Sequence, residues 1–305
     1  MSSFRVDNRE EGERLDRFLQ QVTALSRKKV KGLLDQGRIF INGRKVIIAS
    51  WQVRRGSEVE IRDEAPPHSP KAMEHFLKII YEDSDLLVVD KDAGILCEPS
   101  PLATAPTIVE IINAYFKRKY PFLKTHYLGL VHRLDRETSG LMVYSKTREA
   151  NRITDQFKKH TIKRKYLAVV EGTVKTEQGS VTGYLQKSDL LKGGKKVKSS
   201  TAASGQKAIT QWRLIERYAN ASLLEVTLNT GRTHQIRVQM ASVGHPVVGD
   251  KTYGKPTQKK INFSRQALHA SCLAFVHPVT KAKMEFRSEL PRDLRRLVDR
   301  LRVTS

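Results

Sequence analysis

The segment His132-Arg133-Leu134-Asp135-Arg136-Glu137-Thr138-Ser139-Gly140-Leu141 sets one carboxylate between two arginines. A nearby guanidinium favours the ionised acid, so Asp135 reads as a carboxylate at neutral pH. Taken alone, the pattern fits a turn aspartate in a salt bridge better. Two distant segments offer it partners. Arg164-Lys165-Tyr166-Leu167-Ala168-Val169-Val170 reads as a strand carrying one aromatic hydroxyl, although an ordinary packed strand tyrosine has the same look. Asn229-Thr230-Gly231-Arg232-Thr233-His234-Gln235-Ile236-Arg237 comes after an alternating strand over 223–228. Gly231 permits a tight turn there, and Thr233 is expected to cap a helix ending near Gly244, with His234 and Arg237 on its first turns. A helix start beside arginines suits an anion. The bland readings are a backbone hydrogen bond for His234 and a solvated loop charge for Arg232.

These residues need a scaffold, and the patterning supplies one. Residues 77–81 and 86–90 read as strands joined by the turn Glu82-Asp83-Ser84-Asp85, with a loop from Lys91 to Pro99 after them. Helical spacing returns over 108–116 and again from Thr147, its expected cap, to about Lys159. Between these helices, residues 128–135 approach as extended chain and 140–144 leave as an apolar strand, so Arg133, Asp135 and Arg136 sit on a connection, where chemistry often resides.

The front of the chain has a different character. Leu15, Phe18, Leu19 and Val22 recur at helical spacing, and a second helix is expected from a Ser26 cap to a left-handed Gly37, burying Val30, Leu33 and Leu34. Its exposed side is crowded with Arg27, Lys28, Lys29 and Lys31. Residues 38–46 read as a hairpin turning at Asn42-Gly43. The prolines of Glu64-Ala65-Pro66-Pro67-His68-Ser69-Pro70 then mark a linker. The expected division is therefore a front module over 1–63, a linker over 64–76 and a larger domain over 77–305.

Across 305 residues, 55 lysines and arginines face 32 aspartates and glutamates, a net charge of +23 that favours a polyanionic partner, nucleic acid first. A basic surface serving solubility alone is the plainer account. Cys97 and Cys272 lack disulfide or zinc-ligand spacing, which suits a reducing cytoplasm. No apolar run approaches the ~18 residues of a membrane span, and the N-terminus lacks a signal-peptide core. The expectation is a soluble, cytoplasmic, unprocessed protein with no membrane contact. Lys192-Gly193-Gly194-Lys195 lacks the spacing of a phosphate-binding P-loop, and no nicotinamide, flavin or metal fingerprint occurs.

The front helices, hairpin and closing Val59-Glu60-Ile61 resemble the alpha-L RNA-binding motif of a small-subunit ribosomal protein, over about residues 13–62. That resemblance implies phosphate contacts for Arg27, Lys28, Lys31 and Arg38, with Leu33, Leu34 and Phe40 as core. The larger part resembles the RluA-type family of pseudouridine synthases. The resemblance rests on five ordered segments: the Asp135 motif, Lys165-Tyr166, 230–237, Gly244-His245-Pro246 with Gly249-Asp250, and Gln266-Ala267-Leu268-His269-Ala270 with His277-Pro278. It covers roughly residues 77–290.

This second resemblance implies an α+β fold, a mixed, largely antiparallel bent sheet with flanking helices, beside the small N-terminal α/β RNA-binding domain. It also implies an RNA-modifying isomerase without cofactor or metal, in which Asp135 is the nucleophile, Arg237 its partner and Tyr166 a participant in proton removal or packing. Arg133, Arg232 and His234 would meet RNA. Asp135 could attack the ribose or the uracil, or assist elimination; the sequence leaves these open. Ribosomal RNA is the first expected substrate and transfer RNA the next, for a monomer needing no protein partner. The lysines of 192–198 read either as an RNA clamp or as a disordered, solvated loop. His245, His269 and His277 read as scaffold hydrogen-bonders. Asp92 stands where the family commonly has proline and Glu98 where histidine is usual, departures outside the catalytic set that blur the RNA subgroup. A non-catalytic RNA-binding or ribosome-assembly protein that keeps the fold would account for the front module and the charge, but the intact catalytic set argues against it; a DNA-binding protein would account for the charge but for none of the five motifs.

Overall fold

The computed structural model describes residues 2–35, 37–46, 48–62, 77–98, 106–123, 125–189, 195–254 and 261–303. The expected linker over 64–76 lies outside them. The described residues gather into two compact units, one from 1–75 and 95–121, the other from 76–94 and 122–305.

The first unit contains strand β1 (Ser2–Arg5), helices α1 (Leu15–Thr23) and α2 (Arg27–Asp35), strands β2 (Ile39–Ile41), β3 (Arg44–Lys45) and β4 (Glu58–Ile61), and helix α3 (Ile108–Lys119). Its sheet runs β1-β4-β2-β3 with antiparallel pairing throughout. Leu15, Phe18 and Leu19 present one face of α1 to Val30, Leu34, Ile39 and Val59, forming the apolar core that the helical spacing predicts. The Ser26 hydroxyl accepts the Lys29 N–H at 3.3 Å, capping α2. Gly37 adopts φ +64°, and the hairpin turns through Asn42 at +49° and Gly43 at +73°, as a primed turn requires. Strand β1 carries no apolar alternation and owes its conformation to the ladder with β4. A capping box between Thr107 and Glu110 starts α3, and Lys117, Arg118 and Lys119 complement the dipole at its end.

The second unit is built on an eleven-stranded sheet. Its strands are β5 (Leu77–Glu82), β6 (Leu86–Lys91), β7 (Gly129–Leu130), β8 (Ser139–Ser145), β9 (Lys163–Glu171), β10 (Gln178–Asp189), β11 (Lys195–Ser200), β12 (Gln206–Arg217), β13 (Ala221–Leu228), β14 (Leu268–Val276) and β15 (Lys283–Arg287). The main path is β11-β10-β12-β13-β9-β14-β8-β6-β5, with β15 on β14 and β7 on β8. Helices α4 (Ile153–Lys158), α5 (Gln235–Ser242) and α6 (Arg292–Val303) complete it. Alternate residues Leu86 and Val88, Leu141 and Val143, Leu273 and Phe275 point to one face, where Ile153 and Ile162 close a core.

Among the described residues, β14 with β8 is the one parallel pair, through His269 opposite Ser139 and Ala270 opposite Gly140. Gly140 is required there. It has φ +117°, and a Cβ on it would stand 2.3 Å from the Ala270 carbonyl oxygen.

Three local expectations are corrected. Thr147 does accept the Ala150 N–H at 3.1 Å, but the chain next makes a 3₁₀ turn over Ala150–Arg152 and only then enters α4, so the long helix from Thr147 to Lys159 is two short pieces. Thr233 does not cap α5, whose N-cap is His234 in the left-handed region at φ +54° with no side-chain cap. Residues 195–198 are no disordered loop but part of β11, paired with β10; residues 190–194 lie outside the described set. No helix among the described residues is long and apolar enough to cross a membrane.

Candidate active site

Asp135 hangs on the connection between β7 and β8, and three bonds fix the backbone around it. The Asp135 carbonyl accepts the Thr138 N–H at 3.0 Å, and the Arg136 carbonyl accepts the Gly94 N–H at 2.9 Å. That second carbonyl also takes the ammonium of fully buried Lys91 at 3.1 Å. Gln266 donates to the Thr138 hydroxyl at 2.6 Å and to Asp135 Oδ2 at 3.4 Å. The carboxylate is therefore carried on a tethered turn, on the wall of a pocket.

Arg237, on the first turn of α5, reaches Asp135 from the other side. Its Nη1 donates to Asp135 Oδ2 at 2.8 Å, while Nε and Nη2 donate to Asp250 at 2.6 and 2.9 Å. The Asp250 side chain has no exposed surface and also accepts the Thr252 and Tyr253 N–H groups at 2.8 and 3.1 Å. Burial opposes both charges, but the Asp250 bonds and the two carboxylates outweigh it and hold the Arg237 guanidinium above its ordinary range. The same pairing and the backbone donors hold Asp250 below the usual carboxylate range against its burial.

His234 faces the other oxygen, with Nε2 3.9 Å from Asp135 Oδ1. Its Nδ1 meets the Tyr253 hydroxyl at 2.8 Å, and that hydroxyl accepts the Val197 N–H at 2.9 Å. Burial, reinforced by Arg237 and opposed by Asp135, pushes His234 below the ordinary histidine value, so the ring is neutral. The left-handed backbone that aims it is held by Gln235, whose side chain accepts from the Thr230 hydroxyl at 2.8 Å and the Arg232 N–H at 3.0 Å.

The pocket is lined by Arg133, Asp135, Thr138, Tyr166, Arg232, His234 and Arg237 together with apolar Leu134, Leu228 and Leu268. The three residues expected to do chemistry and three of those expected to meet RNA thus converge on one concavity. Tyr166 sits in mid-strand on β9, opposite Val226 of β13 and Ala270 of β14, and is almost fully buried. Arg133 is exposed, and Arg232 is half-buried with Nε on the Lys207 carbonyl at 3.1 Å. Such a site combines an oriented carboxylate, an apolar wall for a base and cationic groups around it.

Arg27, Lys28, Lys31 and Arg38 belong to the first unit. The first three are exposed on α2, whereas Arg38 is half-buried and spends its Nε on the Arg62 carbonyl at 2.7 Å. The scaffold histidines behave as expected: His245 bonds the Glu171 carbonyl, His269 bonds Ser139 and Ser288, and His277 bonds Asp83 and the N–H groups of Val279 and Thr280. Asp83, Asp85 and His277 bring ligand atoms within 4.8 Å of one another. Asp83, however, is already engaged by Tyr81, His277 and the N–H groups of Asp85 and Leu86, as a turn.

The sequence did not single out Asp250, Gln266, Thr138 or Tyr253 as site residues. Asp250 and Gln266 lie in the ordered segments of the resemblance, which was the available signal. Tyr253 had none.

Comparison with known proteins shows the family of the chain. Residues 85–242 match the family model described as RNA pseudouridylate synthase, and residues 13–59 match the S4 domain. The chain is 34% identical over 298 residues to the uncharacterized RNA pseudouridine synthase YlyB of Bacillus subtilis, covering 96% of this chain and 95% of that one. It is 34% identical over 307 residues to the ribosomal large subunit pseudouridine synthase D of Zymomonas mobilis, with 96% and 95% covered. The solved structure of human RNA pseudouridylate synthase domain containing 4 shares the fold at TM-score 0.62 and 21% identity, over 76% of this chain and 95% of that one.

Proposed function

The chain belongs to the RNA pseudouridylate synthase family and is an RNA-modifying isomerase with an N-terminal S4 domain, and on that premise we propose that it isomerises uridines of ribosomal RNA with Asp135 as the nucleophile. Support for the substrate comes from relatives named for the large ribosomal subunit, in Zymomonas mobilis and in Haemophilus influenzae, the latter 33% identical over 315 residues. The observation that carries the site is the Arg237 to Asp135 pair at 2.8 Å on the wall of a pocket that also holds Tyr166.

The reaction breaks the bond from ribose C1′ to uracil N1, turns the base and joins C1′ to C5, after which C5 gives up its proton and N1 takes one up. No electrons are gained or lost overall. Arg237 orients the carboxylate that acts on the nucleoside, and its charge stabilises the carboxylate again when it leaves. The Tyr166 ring packs against the base, and its hydroxyl relays the C5 proton. A uridine stacked in a helix is out of reach, so the target is flipped or looped out, and Arg133 on the pocket wall fills the space or meets a neighbouring phosphate.

In this reading residues 1–63 form the RNA-binding module, 77–305 the catalytic domain, and Arg27, Lys28, Lys31 and Arg38 meet phosphates of the same RNA. A monomer is its simplest form, and a reducing, cytoplasmic setting is supported by Cys97 and Cys272, which are buried and not joined. Nucleotide-resolution pseudouridine mapping of ribosomal and transfer RNA, with and without the gene, tests it. Loss of one or more ribosomal sites, restored by the wild-type gene and not by Asp135→Asn, is the expected result. Loss confined to transfer RNA would overturn the substrate.

A further inference from the structure

Arg164 stands two residues before Tyr166 on β9, so its side chain leaves the same face of the strand, about 7 Å along it. The residue is only 8% exposed. Its Nε is fully buried and, among the described residues, has no hydrogen-bond partner. Nor does any described carboxylate pair with it: the titratable neighbours acting on it are Tyr166 and a second cation, Arg232. The guanidinium lies over the ring of Phe157 at 5.5 Å, and the same ring stacks on His132 at 4.6 Å. The chain has made room for this group, because a Cβ at Gly231 would stand 2.4 Å from Arg164 Nη1.

A buried charge without a counter-charge is costly, and a packed apolar residue of similar size would stabilise the fold better. Here it lies one strand step from a pocket residue and beneath the loop carrying Arg232, which lines that pocket. Exposed His160 feels the charge of both arginines. A base seated beside Tyr166 brings a phosphodiester with it, one sugar away. The guanidinium fork suits phosphate oxygens, which a lysine ammonium would meet only as a point charge.

We propose that Arg164, with Arg232, forms a phosphate-binding site for the phosphodiester adjoining the uridine in the pocket, so that the substrate supplies the missing counter-charge. The assignment rests on the reading of that pocket as the uridine site. It explains why the loop over Arg164 carries a glycine, and why the arginine is seated on the Phe157 ring with no carboxylate of the described residues paired to it.

The test compares the full-length wild type with Arg164→Gln, Arg164→Lys and Arg232→Gln. Binding of unmodified, in vitro transcribed large-subunit ribosomal RNA is measured over a salt series, and melting is followed with and without inorganic phosphate. For Arg164→Gln the affinity at fixed salt should fall about tenfold, and the slope of log K against log salt should shrink by about one. Its melting temperature should hold or rise, because an uncompensated charge has gone. Arg164→Lys should keep the slope with intermediate affinity. An unchanged slope in Arg164→Gln overturns the proposal, as does a lowered melting temperature with unchanged RNA affinity, which would make Arg164 a packing element. If inorganic phosphate stabilises the wild type through Arg164 while the RNA slope is unaffected, the site serves free phosphate and the assignment to RNA fails. Binding is read without turnover. A protein that binds this RNA through Arg164 but forms no pseudouridine would overturn the proposed activity and leave the site standing.

Discussion

The wholly buried Asp250 carboxylate grips Arg237 through Nε at 2.6 Å and Nη2 at 2.9 Å, which leaves Nη1 aimed at Asp135. The group that orients the proposed nucleophile is itself oriented by a carboxylate with no exposed surface. Losing either end of such a chain should have different consequences, and the difference can be measured.

Asp250→Asn removes the counter-charge of a buried guanidinium. Stability should drop by about 3 kcal/mol or more, as for other broken buried pairs, and turnover should fall with it. Urea denaturation and single-turnover kinetics on the same preparation check both. A variant within about 0.5 kcal/mol of wild type, a typical surface-substitution effect, with full turnover would show that Asp250 is dispensable to the geometry.

Asp135→Asn keeps the size of the side chain at a position that is partly open. Pseudouridine formation should fall on the order of 10⁴-fold or more, while RNA affinity stays within about threefold, well under 1 kcal/mol. Measurable turnover near the wild-type rate would remove Asp135 from the chemistry.

Tyr166→Phe retains the ring and deletes the hydroxyl. If the hydroxyl relays the C5 proton, kcat should fall about 10²-fold with KM little changed. Equal kcat in the two proteins would reduce Tyr166 to a packing surface for the base.

Acid should weaken the fold before most carboxylates titrate. Burial, with the Arg164 charge, pushes His132 from 6.5 down to about 3, and its Nε2 accepts the Val143 N–H at 3.1 Å, a bond available only to the neutral ring. His234 is lowered too, chiefly by burial. For both, the unfolded chain takes up the proton first as pH falls. Their stabilisation is therefore complete above about 6.5 and drains away below it, by about 1.4 kcal/mol per pH unit for each histidine inside its window. Urea midpoints at pH 7, 6 and 5 should decline in the wild type and decline less steeply, by about one proton, in His132→Gln. Identical slopes would refute the linkage.

Gly140→Ala would force a side chain into the Ala270 backbone at a φ of +117°. A loss of at least about 2 kcal/mol is expected from strain and displaced pairing. Thermal melting resolves a change of that size, and an unchanged melting temperature would mean that the two strands can part without cost.

Much of this was legible in the residues themselves. An apolar run bounded by a turn gave β6, a strand pattern gave β9 and alternation gave β13, helical spacing gave α1 and α2, and Asn42-Gly43 gave the hairpin, because each signal is local. Convergence of Asp135, Tyr166 and Arg237 was implied only by resemblance, since their meeting depends on strand order, which no short window encodes. Thr233 misled because Gln235 takes over the fastening of that loop from inside the helix, a job that leaves no mark at the cap position. Asp250 escaped notice for a related reason: a lone acidic residue after a glycine looks like a surface turn until the arginine it faces is known. The lysines of β11 looked unstructured by composition, yet pairing with β10 supplies their order.

Strand β14 lies between β9 and β8 in the sheet, and so between the half bearing Tyr166 and Arg237 and the half bearing Asp135. It is also made after the segments that carry all three of these residues. A nascent chain that has already presented Asp135, Tyr166 and Arg237 at the ribosome exit still lacks the strand that sets them side by side, and Gln266, which bonds Asp135 from 131 residues away, arrives with it. Closure of this site is therefore a late event of synthesis, slow in the manner of contacts distant in sequence. Truncations ending ahead of Leu268 should carry every reacting group and yet be silent.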